Sequence, residues 1–346
     1  EKDVEGTITI KTQAGPGAEA AWKGVADAYT EKHPDVKVVI DLKPTDSYAE
    51  WIQNMFGTEN PTADIVNINL AGSSANDKSI NYMEYAAQIS PYSGKKWTEQ
   101  FNYEMQTRDL AKGEWNNLYL DSVQVMWFYN KDLFDAAGVE YPSNDLTMED
   151  YDALARKMTS GSGDTKVYGC HYHTWRSAAS LFSLLDGQNH IIDGTYDFMK
   201  PTYDMVIAQQ KDGICMDYGY LKTSSLHYSA AFENQQCAMV NMGSWFISTL
   251  EAYMKDAETK FNWGIVKYPH PAGAEAGSTL GTVTSLAINA DSPKAEAAAD
   301  FINWCVSEEG AQAIAKTGTF PACGSAATAE IIKSTEGFPE DSNSVA

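Results

Sequence analysis

The sequence lacks any apolar run long enough to cross a membrane. A transmembrane helix needs about 18 or more consecutive apolar residues, and no stretch approaches that length. The sequence also lacks an initiating methionine, since it begins Glu1-Lys2-Asp3. An exported protein whose signal peptide has been removed begins in this way, so we expect an extracellular protein.

Positive charge is scarce. The 346 residues include 25 Lys and Arg against 47 Asp and Glu, which gives a formal net charge of −22. A surface this acidic repels phosphate backbones and anionic membranes. We therefore expect no nucleic-acid partner.

Cysteine and common catalytic signatures are also scarce. The five cysteines are an odd number, so at least one is unpaired, and their spacing matches no disulfide framework. The chain contains neither Gly-x-Ser-x-Gly nor His-Glu-x-x-His, which are typical of common hydrolases. We expect no catalytic residues, no bound metal and no cofactor.

Aromatic residues, in contrast, are abundant. Nine Trp and 19 Tyr bring the aromatic share to 12%. The length and the 43% hydrophobic content suffice for the cores of two domains. Many of these rings belong in those cores, and the surplus is suited to holding a ligand that has flat apolar faces and polar edges.

The first third of the chain alternates strand and helix. Thr7–Lys11, Val36–Ile40 and Asp64–Ile68 have strand patterns, and apolar residues at helical spacing lie between them. This order predicts a βαβαβ unit with a parallel sheet covered by helices. Further along, Asn130 and Gly138 are typical of the start and end of a short helix, and Thr147 opens another.

Five ordered segments resemble the sugar-binding proteins of bacterial ABC importers, which form extracellular solute-binding protein family 1 and include maltose-binding protein. The most specific match is Tyr-Asn-Lys-Asp-Leu-Phe at 129–134. The five segments are His33–Val38, Pro61–Val66, Met126–Phe134 with Ala137-Gly138, Ala238–Trp245, and Ala287–Lys294 with Glu308–Gln312.

The resemblance implies an α/β protein with the type II periplasmic-binding-protein fold. Two α/β lobes are expected, joined by a hinge that closes on a ligand in the cleft between them. Residues 1–118 and 270–324 would form lobe 1, and residues 119–269 and 325–346 would form lobe 2. The chain would cross between them near 117–122 and 267–272.

The resemblance also implies a function. The chain would be a non-enzymatic, monomeric carrier that binds an oligosaccharide and delivers it to the permease subunits of the transporter. It would be periplasmic, or a cell-surface lipoprotein of a Gram-positive bacterium. The sequence stops soon after Phe320-Pro321, whereas family members commonly continue with more helices of lobe 2.

Trp245 and Trp175 are the leading ligand-binding candidates. Trp245 starts a predicted helix whose apolar stripe comprises Ile247, Leu250 and Met254 and lies roughly opposite to it. The equivalent Trp of the family contacts ligand, and the family often places an aromatic residue at the position of Trp175. Packing against a neighbouring helix is the alternative for Trp245. Trp22, Trp127 and Trp304 lie in apolar patterns and are predicted to be core residues.

Polar candidates lie where predicted strands end. The carboxyl ends of strands in an open α/β sheet face the ligand, and sugar hydroxyls bind amides and carboxylates. Asn67, Asn69 and Gln13 fit this position. Weaker candidates near the first turn, the second helix and the hinge are Glu19, Tyr48, Tyr119 and Asp121. At the expected hinge, this chain departs from the family pattern. Family members often carry glycine and proline where this chain reads Leu118–Ser122.

A dinucleotide-binding oxidoreductase is the sharpest alternative. Gly15, Gly17 and Ala20 form Gly-x-Gly-x-x-Ala between a strand and a helix. Asp41 ends the next strand, about where an NAD(P) enzyme places its ribose-binding acid. The later segments match the solute-binding family and not a dehydrogenase.

Two further alternatives are a metal site and a glycoside hydrolase. Cys170, His171 and His173 cluster in sequence, but no supporting ligands follow at recognisable spacing. Hydrolysis needs two carboxylates held across one bond. Acid pairs such as Glu149-Asp150 are explained as first-turn helix residues that complement the helix dipole.

Overall fold

The computed structural model describes residues 5–15, 17–44, 47–56, 63–67, 118–271, 273–279 and 281–339. Contacts divide the chain into two units. The first contains the chain up to Val123, Ile247–Thr249 and Thr282–Glu336. The second contains Gln124–Phe246, Leu250–Gly281 and the residues from Gly337 onward.

Four paired strands organise the first unit. The strands are β1 (Gly6–Ala14), β2 (Val36–Pro44), β3 (Ile65–Asn67) and β7 (Gly281–Ile288), and the helices are α1 (Ala18–Lys32), α2 (Tyr48–Phe56), α10 (Ala295–Cys305), α11 (Glu308–Ala315) and α12 (Ala326–Lys333). The strand order is β2-β1-β3-β7, in which β1 pairs in parallel with β2 and β3, and β3 pairs antiparallel with β7. The predicted βαβαβ unit is therefore confirmed.

The core of the first unit lies between this sheet and its helices. Ile8 and Ile10 of β1 pack with Tyr29 of α1 and with Phe301 and Trp304 of α10. Trp22 joins the same core, so its predicted core position is confirmed, as is that of Trp304. Helix α12 packs against α11 and groups with the first unit, whereas the sequence assigned residues 325–346 to lobe 2.

A three-stranded antiparallel sheet organises the second unit. The long strand β4 pairs with β5 through Trp127 and Asn241 and with β6 through Trp127 and Val266. The strands are β4 (Leu118–Asn130), β5 (Met239–Gly243) and β6 (Trp263–Val266), and the helices are α3 (Lys131–Ala137), α4 (Met148–Met158), α5 (Arg176–Leu184), α6 (Lys200–Lys211), α7 (Tyr218–Ser224), α8 (Tyr228–Glu233) and α9 (Trp245–Asp256). Three single 3₁₀ turns span Gly163–Thr165, Ile191–Asp193 and Asp197–Met199.

The predicted helix boundaries around β4 are confirmed. The Asn130 side chain accepts a hydrogen bond from the Leu133 N–H at 3.0 Å and so caps α3. Gly138 ends α3 in the left-handed region at φ 64°, a conformation that glycine adopts without steric cost. Thr147 caps α4 by accepting from the Asp150 N–H at 3.1 Å.

Trp127 fills the centre of the second core. The indole is fully buried on β4, as the sequence predicted. Its ring centroid lies 4.6 Å from that of Tyr151, 5.4 Å from that of Tyr268 and 5.7 Å from that of Phe182. Because these rings come from a strand, two helices and a segment beyond β6, this cluster ties the sheet of the second unit to its covering layer.

Helix α9 buries one carboxyl group. Glu251 is only 9% exposed, and its Oε1 atom has no hydrogen-bond partner among the residues described. Burial disfavours the charged form and raises the pKa of Glu251 to about 8. The folded protein therefore holds a proton here at pH values where the unfolded chain has released it.

The Glu251→Gln variant should remove a pH dependence of stability. As pH rises from about 4.5 to about 8, the unfolded chain releases the Glu251 proton while the folded protein still binds it. The free energy of unfolding of the wild type therefore falls over this pH range. At pH 8 we expect the variant to be more stable than the wild type by about 1 kcal/mol or more. Urea denaturation at pH 4.5 and pH 8 measures this difference. An equal difference at both pH values would contradict the assignment, and Glu19→Gln, at an exposed position, is the control.

Candidate functional site

Five aromatic side chains of the second unit come together at its surface. This aromatic cluster consists of His173, Trp175, His227, Tyr228 and Trp245. The members come from the segment before α5, the start of α8 and the start of α9. Three separate regions of the sequence thus contribute to one patch of rings.

Trp245 is held at the first position of α9 with its indole turned away from the core. Phe246, Ile247 and Leu250 are fully buried, whereas Trp245 is half-buried. The predicted apolar stripe is therefore confirmed. The indole N–H donates to the Tyr228 hydroxyl at 2.9 Å, which fixes the plane of the ring.

Gly243 makes room for the Trp245 indole. A Cβ atom at position 243 would lie 2.0 Å from a carbon of that ring, well inside van der Waals contact. The ring therefore lies directly against the end of β5, and only glycine permits this approach. The Gly-Ser-Trp order thus has a local steric reason.

Trp175 is the most exposed ring of the cluster. It precedes α5 and is 41% exposed. Its centroid lies 4.7 Å from that of His173, 5.7 Å from that of Tyr228 and 6.1 Å from that of Trp245. The planes of the two indoles are inclined at 63°, so they present two differently oriented apolar faces.

The cluster is polar at its edges and carries no carboxylate of its own. Burial raises the pKa of Tyr228 to about 12, partly offset by the Trp245 hydrogen bond, so its hydroxyl remains protonated at neutral pH. His227 caps α8 and lies 2.7 Å from the Ser229 hydroxyl through its Nδ1 atom. Apolar faces with polar edges suit a hydroxyl-bearing ligand.

His171 lies buried behind the cluster and stays neutral. Burial, with the nearby His173 and His227, lowers the pKa of His171 to about 3. Over the described ranges, no group of three His, Cys, Asp or Glu side chains is placed to hold a metal ion. The Cys170 thiol instead contacts the side-chain oxygen of Gln209 at 3.7 Å, so the arrangement does not support the metal hypothesis.

In the first unit, the carboxyl ends of β1 and β3 bring two predicted residues together. The Asn67 side-chain amide donates to Thr12 Oγ1 at 3.3 Å and to Gln13 Oε1 at 3.4 Å. Gln13 Nε2 has no hydrogen-bond partner within the described part of the chain. Parallel pairing of β1 with β3 explains this meeting of residues that are far apart in sequence.

The remaining predicted residues occupy different environments. Tyr48 is fully buried, and its hydroxyl lies 2.7 Å from the Asn67 carbonyl oxygen and 3.0 Å from that of Lys11, so it supports the strand ends from inside. Glu19 is exposed in the first turn of α1. Tyr119 lies in β4 but its side chain is outside the described part, and Asn69 lies outside the described residues altogether.

Asp121 is engaged within the first unit. Its carboxylate accepts hydrogen bonds from the Thr284 N–H at 2.7 Å and from the Thr284 hydroxyl at 2.8 Å. Burial raises the pKa of Asp121 to about 6, and the two hydrogen bonds act against that rise. Asp121 and Thr284 both belong to the first unit, so this contact lies within it.

The strand order contradicts the dinucleotide hypothesis. In a dinucleotide-binding fold the third strand pairs with the second, giving the order 3-2-1-4. Here β1 lies between β2 and β3. Asp41 is also ion-paired, at 3.0 Å, with both Lys11 and Lys43, and these lysines outweigh the effect of burial and lower its pKa. It is not available as a ribose-binding acid.

Sequence reasoning missed Tyr228 and His227. Neither lies in a recognisable motif. Their cluster partners His173 and Trp175 precede them by more than 50 residues in the sequence. Lys11 was also missed, although it is buried in β1 with its ammonium 3.9 Å from the centre of the Trp51 ring. A lysine inside an apolar strand pattern is the one signal that pointed to an unusual environment there.

The two α/β units are those of the type II periplasmic-binding-protein fold. A sequence profile described as bacterial extracellular solute-binding protein matches residues 14–312. The chain belongs to this family. No helix in the described ranges has the length and apolar character needed to cross a membrane.

One solved structure supports the family assignment, and two others described here share the fold. A sugar transporter protein from Rhizobium etli, in an open conformation, is 37% identical; the match covers 98% of this chain and 86% of that one, with a TM-score of 0.72. A substrate-binding protein from Listeria monocytogenes in complex with cycloalternan is 19% identical, covering 95% and 83%, with a TM-score of 0.77. The GacH receptor of Streptomyces glaucescens, solved unliganded and with acarbose, is 18% identical, covering 92% and 80%, with a TM-score of 0.70. A comparison with curated proteins gave no significant match.

Proposed function

We propose that this chain is the carbohydrate-binding component of a bacterial ABC importer and that the aromatic cluster stacks on the sugar. The observation that carries the proposal is the pair of surface indoles, Trp175 and Trp245, braced by Tyr228. Pyranose rings have apolar C–H faces that pack on aromatic rings and hydroxyl rims that need hydrogen bonds. The similarity to sugar-binding structures points the same way.

The geometry of the two indoles favours an oligosaccharide. Planes inclined at 63° cannot both lie flat against one sugar ring, although their centroids are only 6.1 Å apart. Two consecutive sugar rings can use both faces. We therefore propose a ligand of at least two sugar units, with Trp175 and Trp245 on different units.

Polar residues of the first unit complete the proposed set. Asn67, Gln13 and Asp121 offer amide and carboxylate groups for hydroxyls, and Gln13 Nε2 has no hydrogen-bond partner within the described ranges. Glu19, Asn69 and Tyr119 stay predictions. Tyr48 is fully buried and is therefore not part of the proposed contact surface. The inter-lobe cleft and its hinge closure also stay predictions.

We further propose that the protein is a carrier and not an enzyme. Glycoside hydrolysis needs a pair of carboxylates across one bond. Glu233 lies close enough for its charge to act on Tyr228, but no member of the aromatic cluster supplies a second carboxylate. Glu149 and Asp150 are exposed first-turn residues of α4. Delivery to permease subunits, a monomeric state and a lipid anchor follow from the family as predictions.

Thermal-shift screening against a panel of oligosaccharides tests the proposal. The panel should include α- and β-linked di- to hexasaccharides, single sugars and NADH, with chromatography of each sugar after incubation. Ligand at 100 times its Kd stabilises the folded state by about 2.7 kcal/mol. We expect a rise in Tm for one oligosaccharide series and recovery of that sugar unchanged. A shift with NADH and none with any sugar would overturn the proposal, and sugar cleavage would overturn the carrier assignment.

A further inference from the structure

Three of the five cysteines lie together in the core of the second unit. Cys170, Cys215 and Cys237 are buried and form no disulfide in the structure. The segment of Cys170 lies between those of the other two, since the Cys170 N–H donates to the Ile214 carbonyl oxygen and the neighbouring residues Tyr168 and His171 form bridges with Cys237 and Val240. Cys305 and Cys323 belong to the first unit.

The backbone brings the segments of Cys170 and Cys215 side by side. The Ile214 carbonyl oxygen accepts from the Gly169 N–H at 3.0 Å and from the Cys170 N–H at 3.4 Å. Cys215 follows directly after Ile214, so the two cysteines lie on backbone segments that are hydrogen-bonded to each other. Gln209 braces both segments, because its side-chain oxygen contacts the Cys170 sulfur and its carbonyl accepts from the Cys215 N–H at 3.5 Å.

Cys237 is less well placed for bonding to Cys170. Parallel bridges pair Tyr168 with Cys237 and His171 with Val240. The same register sets Met239, and not Cys237, directly beside Cys170. Cys237 therefore lies diagonally from Cys170, whereas Cys215 directly follows the residue whose carbonyl oxygen accepts from the Cys170 N–H.

We propose that Cys170 and Cys215 form a disulfide when this extracellular protein folds in an oxidising environment. Membership of an extracellular family places the chain where disulfides form and persist. The oxidant is a small-molecule or protein disulfide. The Cys215 thiolate attacks it, forming a mixed disulfide and releasing one thiol; the Cys170 thiolate then attacks the Cys215 sulfur and releases the second thiol. The two cysteines lose two electrons and two protons, and the oxidant is reduced to two thiols.

The disulfide would form while the chain folds, before Cys170 and Cys215 are buried in the core. The hydrogen bond with Cys170, together with burial, holds the pKa of Cys215 above its usual range, so little thiolate exists in the folded protein. The bond would tie the segment leading to His173 and Trp175 to the residues following α6. The disulfide would therefore stiffen the base of the aromatic cluster. The test of this disulfide needs no ligand.

The test is refolding of the reduced, denatured chain in a buffer of oxidised and reduced glutathione. Remaining thiols are then alkylated, and the protein is digested without reduction and mapped by mass spectrometry. We expect a Cys170–Cys215 linked peptide, an intact mass lower by two hydrogen atoms before alkylation, and a Tm higher than that of the reduced protein by roughly 5 °C.

Two serine variants show whether Cys215 or Cys237 is bonded to Cys170. Cys237→Ser should keep the linked peptide, and Cys215→Ser should lose it together with the gain in Tm. Five alkylated cysteines after oxidative refolding, or a Cys170–Cys237 peptide in the wild type, would overturn the proposal. The wild-type peptide map decides the question even where a serine variant fails to fold.

Discussion

Replacement of Trp245 by alanine should weaken oligosaccharide binding about 30- to 100-fold, a loss of about 2–3 kcal/mol for one buried aromatic anchor. The variant removes the apolar face and also the N–H that donates to Tyr228, so Tyr228 loses a fixed partner. Isothermal titration calorimetry with the sugar identified by the thermal-shift screen measures the change. Trp245→Phe keeps a flat aromatic face but lacks the N–H. Its affinity should therefore lie between those of the wild type and Trp245→Ala.

Tyr196→Ala is the matched control for this experiment. Tyr196 is an aromatic residue of the same unit, is 54% exposed, and lies outside the aromatic cluster. Its loss should leave affinity within a factor of two of the wild type. If Trp245→Ala keeps its far-ultraviolet circular dichroism and binds as well as the control, the aromatic cluster is not the sugar site.

Replacement of Trp127 by alanine should lower the free energy of unfolding by about 3–5 kcal/mol, the largest stability change that we expect in the chain. The indole is fully buried, and its removal leaves a cavity bounded by Tyr151, Phe182 and Tyr268. These rings come from separate elements and cannot collapse into the space together. Urea denaturation followed by circular dichroism measures the change.

Trp127→Phe distinguishes the cavity from the loss of a polar contact. The indole N–H of Trp127 has no hydrogen-bond partner among the described residues. Phenylalanine removes that unsatisfied donor and keeps much of the volume, so it should cost less than half as much as alanine. Equal losses for the two variants would contradict the packing argument.

Local features of the first third of the chain could be predicted from sequence. The alternation of β1 and the helical spacing of α1 report which side of each element is buried, and burial side is a property of neighbouring residues. The caps at Asn130 and Gly138 are local for the same reason, since each bonds within four residues. The core positions of Trp22, Trp127 and Trp304 followed from these patterns.

The composition of the candidate site could be predicted only in part. Trp245 was identified by its position off the apolar stripe of α9, but its partner Tyr228 belongs to another helix. Tyr48 shows the limit of such reasoning. Its place at the start of a helix near the strand ends predicted a ligand contact, whereas packing placed its hydroxyl against two backbone carbonyls in the interior.

The sequence by itself determined the elements, their buried sides and, through ordered motifs, the solute-binding family. Tertiary structure alone decided that β3 pairs with β1, that α12 packs on α11, and that His173, Trp175, His227, Tyr228 and Trp245 share one surface. It also placed the segment of Cys215 beside that of Cys170. The physical reason is that periodicity encodes which face of an element is apolar, whereas contacts between distant segments depend on how complete elements pack and in which register their strands pair.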